Sequence, residues 1–499
     1  MSNIKSLAGQ TMWYGVSSIA ARLINYLLTP YLTYSSIIKT EDYGKMALAY
    51  AAIPLLNILF TYGFETAYFR FSAKNEFKKT IYNTAALSLI ATTIFFTAIL
   101  WFNQFAFATL IGLQNFPALI QISIGIIAFD TVARIPFAKL RQEGRPIKFA
   151  TINILGILIN IFFTWFFISY CTKAVATNTN SWVLSFYNPM QNPIVYVVLA
   201  NLIQSIFTLI FLSKEIAAIR FTFNTRLWMM MMAYSLPLII AGLGGMINET
   251  FDRIMLKWWL PANAESEVGI YNACYKLSIL ITLFIQAFKM GAEPFFFKQS
   301  QGKNPQNTYA RVMKFFVIII SIMFLLVSMY MPIWQYFIGP KYWAGLRVVP
   351  ILLLANIFLG IYYNLSVWYK LGNKTMAGAW ITIAGATITL IINYLFIPTY
   401  SYIACAWATF FCYGSMMVFS FIWGQKNYNI PYAWKKLVAY LFIVTILFFI
   451  HTFLIKIWHN IYFNLTTATV LIALYVWFLS IVEKKEVVKL PIIGKWIKN

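Results

Sequence analysis

Charged residues are scarce in this sequence: Asp, Glu, Lys and Arg make up only 10% of the 499 residues. Soluble domains carry about a quarter charged residues. Because 61% of the chain is hydrophobic, a soluble fold could not cover its own surface with polar groups, which excludes an ordinary soluble protein. Most of the surface must therefore face lipid. The 19% of Phe, Tyr and Trp suits aromatic belts at the two membrane interfaces.

Acidic residues are the scarcest charges, with 14 Asp and Glu against 38 Lys and Arg and a net charge of +24. In a soluble protein such an excess would suggest a nucleic-acid partner. Here the basic residues cluster in short loops beside apolar segments, where they act as orientation signals. The sequence therefore predicts no nucleic-acid partner.

Histidine and cysteine are also rare, with two and four residues. The four cysteines form no CxxC pair or disulfide framework, and no HExxH, nucleophile elbow or P-loop is present. The sequence predicts no metal, no cofactor and no enzymatic activity. The cytoplasmic loops are too short for a nucleotide domain, which leaves an H⁺ or Na⁺ gradient, the membrane potential or the substrate's own gradient as the energy source.

Long apolar runs are abundant, and about 20 such residues cross a bilayer as a helix. We predict about fourteen spans and no cleaved signal peptide. Their approximate centres are Ile19, Pro54, Ile90, Ile126, Ile159, Gln204, Ile240, Ile279, Ile320, Asn356, Thr387, Thr409, Val444 and Leu471. Lys and Arg fall about three to one on the side of the loops that contains both termini. This asymmetry predicts a multi-pass inner-membrane protein with both termini in the cytoplasm.

An internal repeat relates two segments at one fixed offset. Glu41–Tyr50 opens the second span and Ser266–Tyr275 opens the eighth, with an acid, a glycine and a tyrosine in matching places. The repeat predicts an all-α fold of two parallel six-helix copies plus two C-terminal helices. The corresponding regions are a first lobe over residues 1–225, a second over 226–425, and two helices with a tail over 426–499.

Arg22, Arg134 and Lys276 lie inside predicted spans, where charges usually face a cavity. Arg22, Asn25 and Thr29 follow a helical spacing in the first span and form one polar stripe, which we expect to face a lumen. Lys276 lies several residues into the eighth span without an acid at helical spacing. An unpaired lysine in a span is expected where an anionic ligand binds. The alternative for Arg22 and Lys276 is that they snorkel to the membrane surface. We predict substrate binding by Arg22, Asn25, Lys276 and Arg253.

The end of the seventh span is dense in polar residues, with Asn248, Glu249, Asp252 and Arg253. Glu249 and Arg253 are four residues apart and could form a plain ion pair. The other interpretation assigns Glu249 and Asp252 to gating or ion coupling, and the sequence leaves both open.

Two further acids lie at the predicted cytoplasmic ends of their spans, each five residues before a base: Glu65 before Arg70, and Glu293 before Lys298. They are candidates for symmetric gate contacts in which an ion pair closes the inner side. The alternative is a pair of interfacial salt bridges, each contributing under about 1 kcal/mol.

Three features together resemble a known family. The first is the pattern of twelve repeated spans plus two. The second is Glu267–Leu277, which follows Asp252 and Arg253, and the third is Gly63–Phe71. The chain resembles the bacterial oligosaccharide flippases, those of O-antigen and related polysaccharides, within the multidrug/oligosaccharidyl-lipid/polysaccharide exporter superfamily.

The resemblance implies a V-shaped cavity between two six-helix lobes. It also implies a polyprenyl-diphosphate-linked oligosaccharide as the substrate, turned to the outer leaflet by alternating access for surface polysaccharide such as lipopolysaccharide. Basic residues are expected to line the cavity for the diphosphate, and Arg22 and Lys276 lie in spans where such bases are expected. We expect a monomer whose other partners are membrane lipids.

Three other functions compete with this prediction. A multidrug or cation-coupled extruder of the same superfamily would carry acids in the first and seventh spans. Here the first span has none, although Glu249 and Asp252 lie at the end of the seventh. A peptidoglycan-precursor flippase would share the anionic lipid substrate. A membrane glycan polymerase or ligase fits less well, because catalysis needs positioned titratable groups.

Overall fold

The structure is a computed structural model, and it describes residues 19–20, 22–72, 75–177, 181–260, 262–300, 304–372, 374–458 and 460–484. Within these residues the chain is helical and contains no strand. The first helix, α1, consists of residues 22–26 and Leu28–Tyr34 on either side of a turn at Leu27.

Thirteen longer helices follow α1. They are α2 Thr40–Thr61, α3 Ile81–Phe102, α4 Pro117–Gln142, α5 Pro146–Ala176, α6 Pro193–Phe211, α7 Thr225–Glu249, α8 Ala264–Gln299, α9 Pro305–Met329, α10 Val349–Leu365, α11 Thr375–Tyr400, α12 Tyr402–Asn427, α13 Trp434–Ile457 and α14 Ile461–Val482. Short helical segments connect them: Phe64–Ser72, Asn75–Phe77, Gln104–Ile111, Ser181–Ser185, Ser213–Ala217, Phe251–Trp259, Met331–Trp334, Gln335–Phe337, Pro340–Val348 and Val367–Leu371.

The predicted polytopic membrane fold is confirmed. Thirteen helices of the described part of the chain are long and apolar enough to cross a membrane, and each contains one of the predicted span centres. The remaining predicted span corresponds to α1, which is described only in part. The predicted region boundaries at residues 225 and 425 stay a prediction.

The helices pack as two groups. Helices α2 to α6 contact one another, mainly through α4, which packs on α3 and α6; with α1 they form what we call the N-terminal lobe. Helices α8 to α12 pack together as the C-terminal lobe, which α7 joins through α11. The first half of α7 also packs on the segment Phe64–Ser72 and on α3, so α7 links the two lobes.

The last two helices are held to the C-terminal lobe by a buried carboxylate. Glu483 accepts hydrogen bonds from Lys314 on α9 at 2.7 Å, from Tyr440 on α13 at 2.6 Å and from Lys436 at 3.3 Å. Burial acts to raise the pKa of Glu483, but the bonds from Lys314 and Tyr440 outweigh it and lower the pKa. The carboxylate therefore stays ionised at neutral pH and ties α14 to α9 and α13.

The lobes meet closely at the end of the bundle where α2 and α8 begin, which we call the sealed end. Here the two glycines that match in the internal repeat, Gly44 and Gly269, face each other. A Cβ at Gly44 would overlap the carbonyl of Glu265, and a Cβ at Gly269 would overlap the carbonyl of Thr40. The contact is reciprocal, as expected where two equivalent helices cross at a pseudo-two-fold axis.

Further contacts close the sealed end. The Gly339 backbone N–H donates a hydrogen bond to the Thr33 hydroxyl at 3.0 Å. The Lys341 ammonium donates to the carbonyls of Ser35, at 2.9 Å, and Ile38. These bonds join the end of α1 to the segment before α10 and so link the two lobes on this side.

We predict that Gly44→Ala destabilises the protein, because the added methyl group cannot fit without a backbone shift. Overpacking of this kind costs about 1–3 kcal/mol. Gly245→Ala is the matched control, since a Cβ at Gly245 meets no atom within 4 Å. Thermal unfolding of the purified variants in detergent measures the effect. Equal midpoints for the two variants would show that the glycine contact is not needed.

Candidate functional site

A cavity of about 530 Å³ lies between the helices, further from the starts of α2 and α8 than the sealed end. We call it the central cavity. Helix α1 lines one side, and the C-terminal lobe together with α7 lines the rest. Its lining residues are Arg22, Asn25, Tyr26, Thr29, Ala241, Gly245, Met246, Asn248, Glu249, Tyr275, Lys276, Ile279, Thr282, Leu283, Ile285, Gln286, Lys289, Asn356, Leu359, Tyr362, Tyr363, Tyr369, Lys370, Thr382, Tyr413 and Met416.

The polar stripe of α1 faces this cavity. Arg22, Asn25 and Thr29 all line it, and so does Tyr26 between them. The Arg22 guanidinium donates a hydrogen bond across the cavity to the side-chain oxygen of Gln286 on α8. The Tyr26 hydroxyl donates to the backbone carbonyl of Lys276 at 2.7 Å. These bonds fix the first helix of one lobe against α8 of the other.

Lys276 also lines the central cavity, and among the described residues no carboxylate forms an ion pair with it. The same face of α8 continues through Ile279, Leu283 and Gln286, a spacing of three and four residues. Gln286 lies ten residues beyond Lys276, about 15 Å along the helix axis. Since Arg22 contacts Gln286, Arg22 and Lys276 mark two different levels of the cavity.

Two further cations on the cavity wall were missed by the sequence analysis. Lys289 on α8 and Lys370 after α10 both line the central cavity, and the Lys289 ammonium lies 4.4 Å from the centre of the Tyr363 ring. By sequence both belong to the basic loop residues that orient the helices. Their position beyond the ends of apolar runs gives no sign of a cavity.

Six tyrosines form a second missed feature. Tyr26, Tyr275, Tyr362, Tyr363, Tyr369 and Tyr413 line the cavity. The hydroxyls of Tyr362 and Tyr369 lie 3.2 Å apart, and a Cβ at Gly378 would meet the Tyr369 ring at 2.9 Å. With 31 tyrosines in the chain, sequence alone could not single out these six.

Glu249 supplies the one carboxylate among the described lining residues. It ends α7, and its side chain is exposed to the cavity. It lies close enough to Tyr275, Tyr363 and Tyr413 to interact with them electrostatically. No described residue forms an ion pair with this carboxylate, so the suggested pairing with Arg253 does not occur.

Arg253, predicted to bind substrate, does not line the central cavity. Its side chain is buried, and its guanidinium donates to the Asp252 carboxylate at 2.7 Å and to the Glu249 backbone carbonyl at 2.6 Å. The rings of Tyr271 and Tyr275 lie beside it. Asp252 in turn accepts the Tyr271 hydroxyl at 2.7 Å. Because α7 breaks at Thr250, a turn of new helix points both charges into the lobe.

Glu65 and Arg70, predicted as gating or coupling residues, have separate partners in the structure. Glu65 forms an ion pair with Arg141 of α4, within the same lobe. The Arg70 guanidinium lies 4.1 Å from the centre of the Tyr234 ring on α7. A spacing of five residues places two helical side chains on different faces, which explains why they find separate partners. Glu293 and Lys298 lie on α8, but their side chains are outside the described part of the structure.

The central cavity therefore combines four cations, one carboxylate and six tyrosines among its described lining residues. A net positive wall in a low-dielectric membrane attracts an anion far more strongly than the same charges in water. Tyrosine adds an apolar ring with a polar hydroxyl. This arrangement can bind an anionic group and a neighbouring polar group that carries apolar faces.

The model of the family described as "Polysaccharide biosynthesis protein" matches residues 7–300 of this chain. No curated protein sequence matches it.

Several solved structures share the fold. The lipid II flippase MurJ in an inward closed conformation has a TM-score of 0.73 at 14% identity, covering 95% of this chain and 99% of that chain. An inward-facing multidrug resistance MATE family transporter of the MOP superfamily has a TM-score of 0.62 at 14% identity, covering 86% and 95%. A MOP superfamily transporter from Pyrococcus furiosus, whose reversed binding-pocket polarity suggests a different function, has a TM-score of 0.56 at 13% identity, covering 85% and 94%.

Proposed function

Because the chain belongs to the polysaccharide biosynthesis protein family and has the fold of membrane flippases and transporters, we propose that it flips a polyprenyl-diphosphate-linked oligosaccharide. The substrate would pass from the cytoplasmic to the outer leaflet of the bacterial inner membrane and supply surface polysaccharide, with O-antigen as one such product. Both termini would lie in the cytoplasm, so the sealed end would face outward.

The positive lining of the central cavity carries this proposal. A diphosphate is a compact anion, and Arg22 and Lys276 offer it charged hydrogen-bond donors at two levels of the cavity. Charge-assisted bonds of this kind are roughly twice as strong as neutral ones. We propose that the diphosphate is received near Arg22 and moves to Lys276 as the lobes rearrange.

The described extent of the cavity also suits this substrate. About 530 Å³ lies within the range of about 300–1,000 Å³ that is typical for sites of small ligands, enough for a diphosphate and adjoining sugar. The polyprenyl chain needs no aqueous site, because it can remain in the lipid.

A peptidoglycan-precursor flippase is the second candidate, and the fold similarity to the lipid II flippase MurJ favours it. Its substrate would use the same diphosphate contacts. A cation-coupled multidrug extruder has one observation in its favour, the Glu249 carboxylate in the cavity. The excess of cations weighs against cationic drugs, since like charges repel them.

Deletion of the gene from its host tests the proposal. We expect lipid-linked oligosaccharide to accumulate in the inner leaflet and surface polysaccharide to disappear, with both restored by the intact gene. In proteoliposomes, the purified chain should expose labelled lipid-linked oligosaccharide to an external enzyme. Rescue of cells depleted of their lipid II flippase would instead favour the peptidoglycan precursor. Drug resistance without any change in glycan would favour the extruder.

A further inference from the structure

Two hydrogen-bond acceptors, one in the central cavity and one beside it, have no donor among the described residues. One is the Glu249 carboxylate, on the cavity wall. The other is the side-chain oxygen of Asn364 on α10, which is buried at 4% exposure and accepts no hydrogen bond. A buried acceptor without a partner costs about 1–3 kcal/mol, so such groups call for a specific explanation.

Asn364 opens into a small pocket beside the cavity. The pocket has a volume of about 20 Å³, room for one small group. Phe288 and Phe296 form its apolar sides, and it shares Lys289, Tyr363 and Lys370 with the central cavity. The Asn364 amide nitrogen donates to the carbonyl of Gly360 at 3.1 Å, which fixes the side chain and leaves its buried oxygen without a donor.

Tyr363 connects the two acceptors. It lines the central cavity together with Glu249 and the side pocket together with Asn364. Its ring is partly exposed. Glu249 and Asn364 therefore lie on the walls of two adjoining spaces that share the Tyr363 ring.

Glu249 and Asn364 do not themselves fit a phosphate, although Lys289 and Lys370 line the same side pocket. An ionised diphosphate brings only acceptors, which need donors such as Arg22 and Lys276. Glu249 and Asn364 instead need a ligand that brings O–H or N–H donors. Sugars carry hydroxyl and amide donors together with apolar C–H faces that can pack on a tyrosine ring.

We propose that Glu249, Tyr363 and Asn364 form a glycan subsite that binds the sugars nearest the diphosphate. This subsite rests on the proposed function. It assigns the cations of the cavity to the diphosphate and the acceptors to the sugar. Such a site selects the sugar, because a pocket built to hydrogen-bond a hydroxyl or amide group rejects analogues that lack it.

Binding to the full-length purified protein tests this division. The first probe is the lipid-linked oligosaccharide that accumulates in cells without this gene, and the second is the same lipid after enzymatic removal of the glycan, a bare polyprenyl diphosphate. Wild type should bind the glycosylated probe more tightly. Asn364→Leu and Glu249→Ala should each weaken the glycosylated probe by roughly fivefold to tenfold, the effect of one or two lost hydrogen bonds, without weakening the bare lipid.

Matched variants separate the possible outcomes. Lys276→Met should weaken both probes equally. Glu249→Gln keeps an acceptor oxygen and should retain part of the preference for the glycosylated probe. If Glu249 instead carries protons for coupling, Glu249→Gln and Glu249→Ala should reduce transport equally and leave glycan binding intact. That second result, or equal weakening of both probes by Asn364→Leu, would overturn the glycan subsite. If wild type binds neither probe, the proposed function itself fails.

Discussion

Lys276→Glu is expected to lower transport of lipid-linked oligosaccharide by about 30-fold or more, because losing a desolvated charge contact costs about 2–5 kcal/mol. The new carboxylate would face the same cavity as Glu249 and repel the diphosphate. Transport into proteoliposomes and surface polysaccharide in complemented cells measure the change. Arg22→Ala should also reduce transport, but by less, since it removes a charge without reversing it.

Two controls support the interpretation. Lys276→Arg keeps the charge and should retain much of the activity. Lys435→Glu makes the same charge reversal at an exposed position at the start of α13 and should leave transport unchanged. Wild-type transport by Lys276→Glu and Arg22→Ala, at normal protein abundance, would remove both residues from the proposed mechanism.

The membrane helices were predictable because the signal for each is local. A run of about 20 apolar residues must form a helix in lipid, since every backbone N–H and C=O needs an internal partner there. The glycine match was predictable for a related reason. Gly44 and Gly269 stood out as rare residues in equivalent places, and the structure shows that each leaves room for the other's helix.

The cavity positions of Arg22 and Lys276 followed from the cost of a charge in lipid. The same rule misled for Arg253, because a buried charge can also be neutralised by a neighbour. The neutralising neighbour is Asp252, the preceding residue. Both side chains point into the lobe because the helix breaks at Thr250. Sequence could not reveal this break, since Asn248–Arg253 reads as one polar helix end.

Contacts between distant parts of the chain could not be predicted. Glu65 pairs with Arg141, 76 positions away in the chain, while the sequence offered Arg70 as the nearer base. Asn364 lies in an apolar span and carries no charge, so nothing in the sequence marks its oxygen as unpaired. The six cavity tyrosines meet only when α1, α8, α10 with the segment after it, and α12 come together.

The buried pair of Asp252 and Arg253 is expected to give the largest effect on stability. Asp252→Ala leaves the Arg253 guanidinium buried, with the Glu249 carbonyl and two tyrosine rings as its remaining described contacts. Breaking a buried ion pair by removing one partner costs about 3–5 kcal/mol. We therefore expect a marked fall in the thermal unfolding midpoint of the purified variant in detergent, relative to wild type.

The double variant Asp252→Ala/Arg253→Met should recover much of this loss, because it removes both charges and replaces the arginine with an apolar side chain of similar length. The two effects should therefore be strongly non-additive. Additive effects would show that the pair is not coupled. Arg253 also holds the carbonyl of Glu249 at 2.6 Å, so the double variant should regain stability but not full transport. Its remaining defect should appear in binding of the glycosylated lipid rather than of bare polyprenyl diphosphate. The reason is that Glu249, whose backbone loses the bond from Arg253, belongs to the proposed glycan subsite.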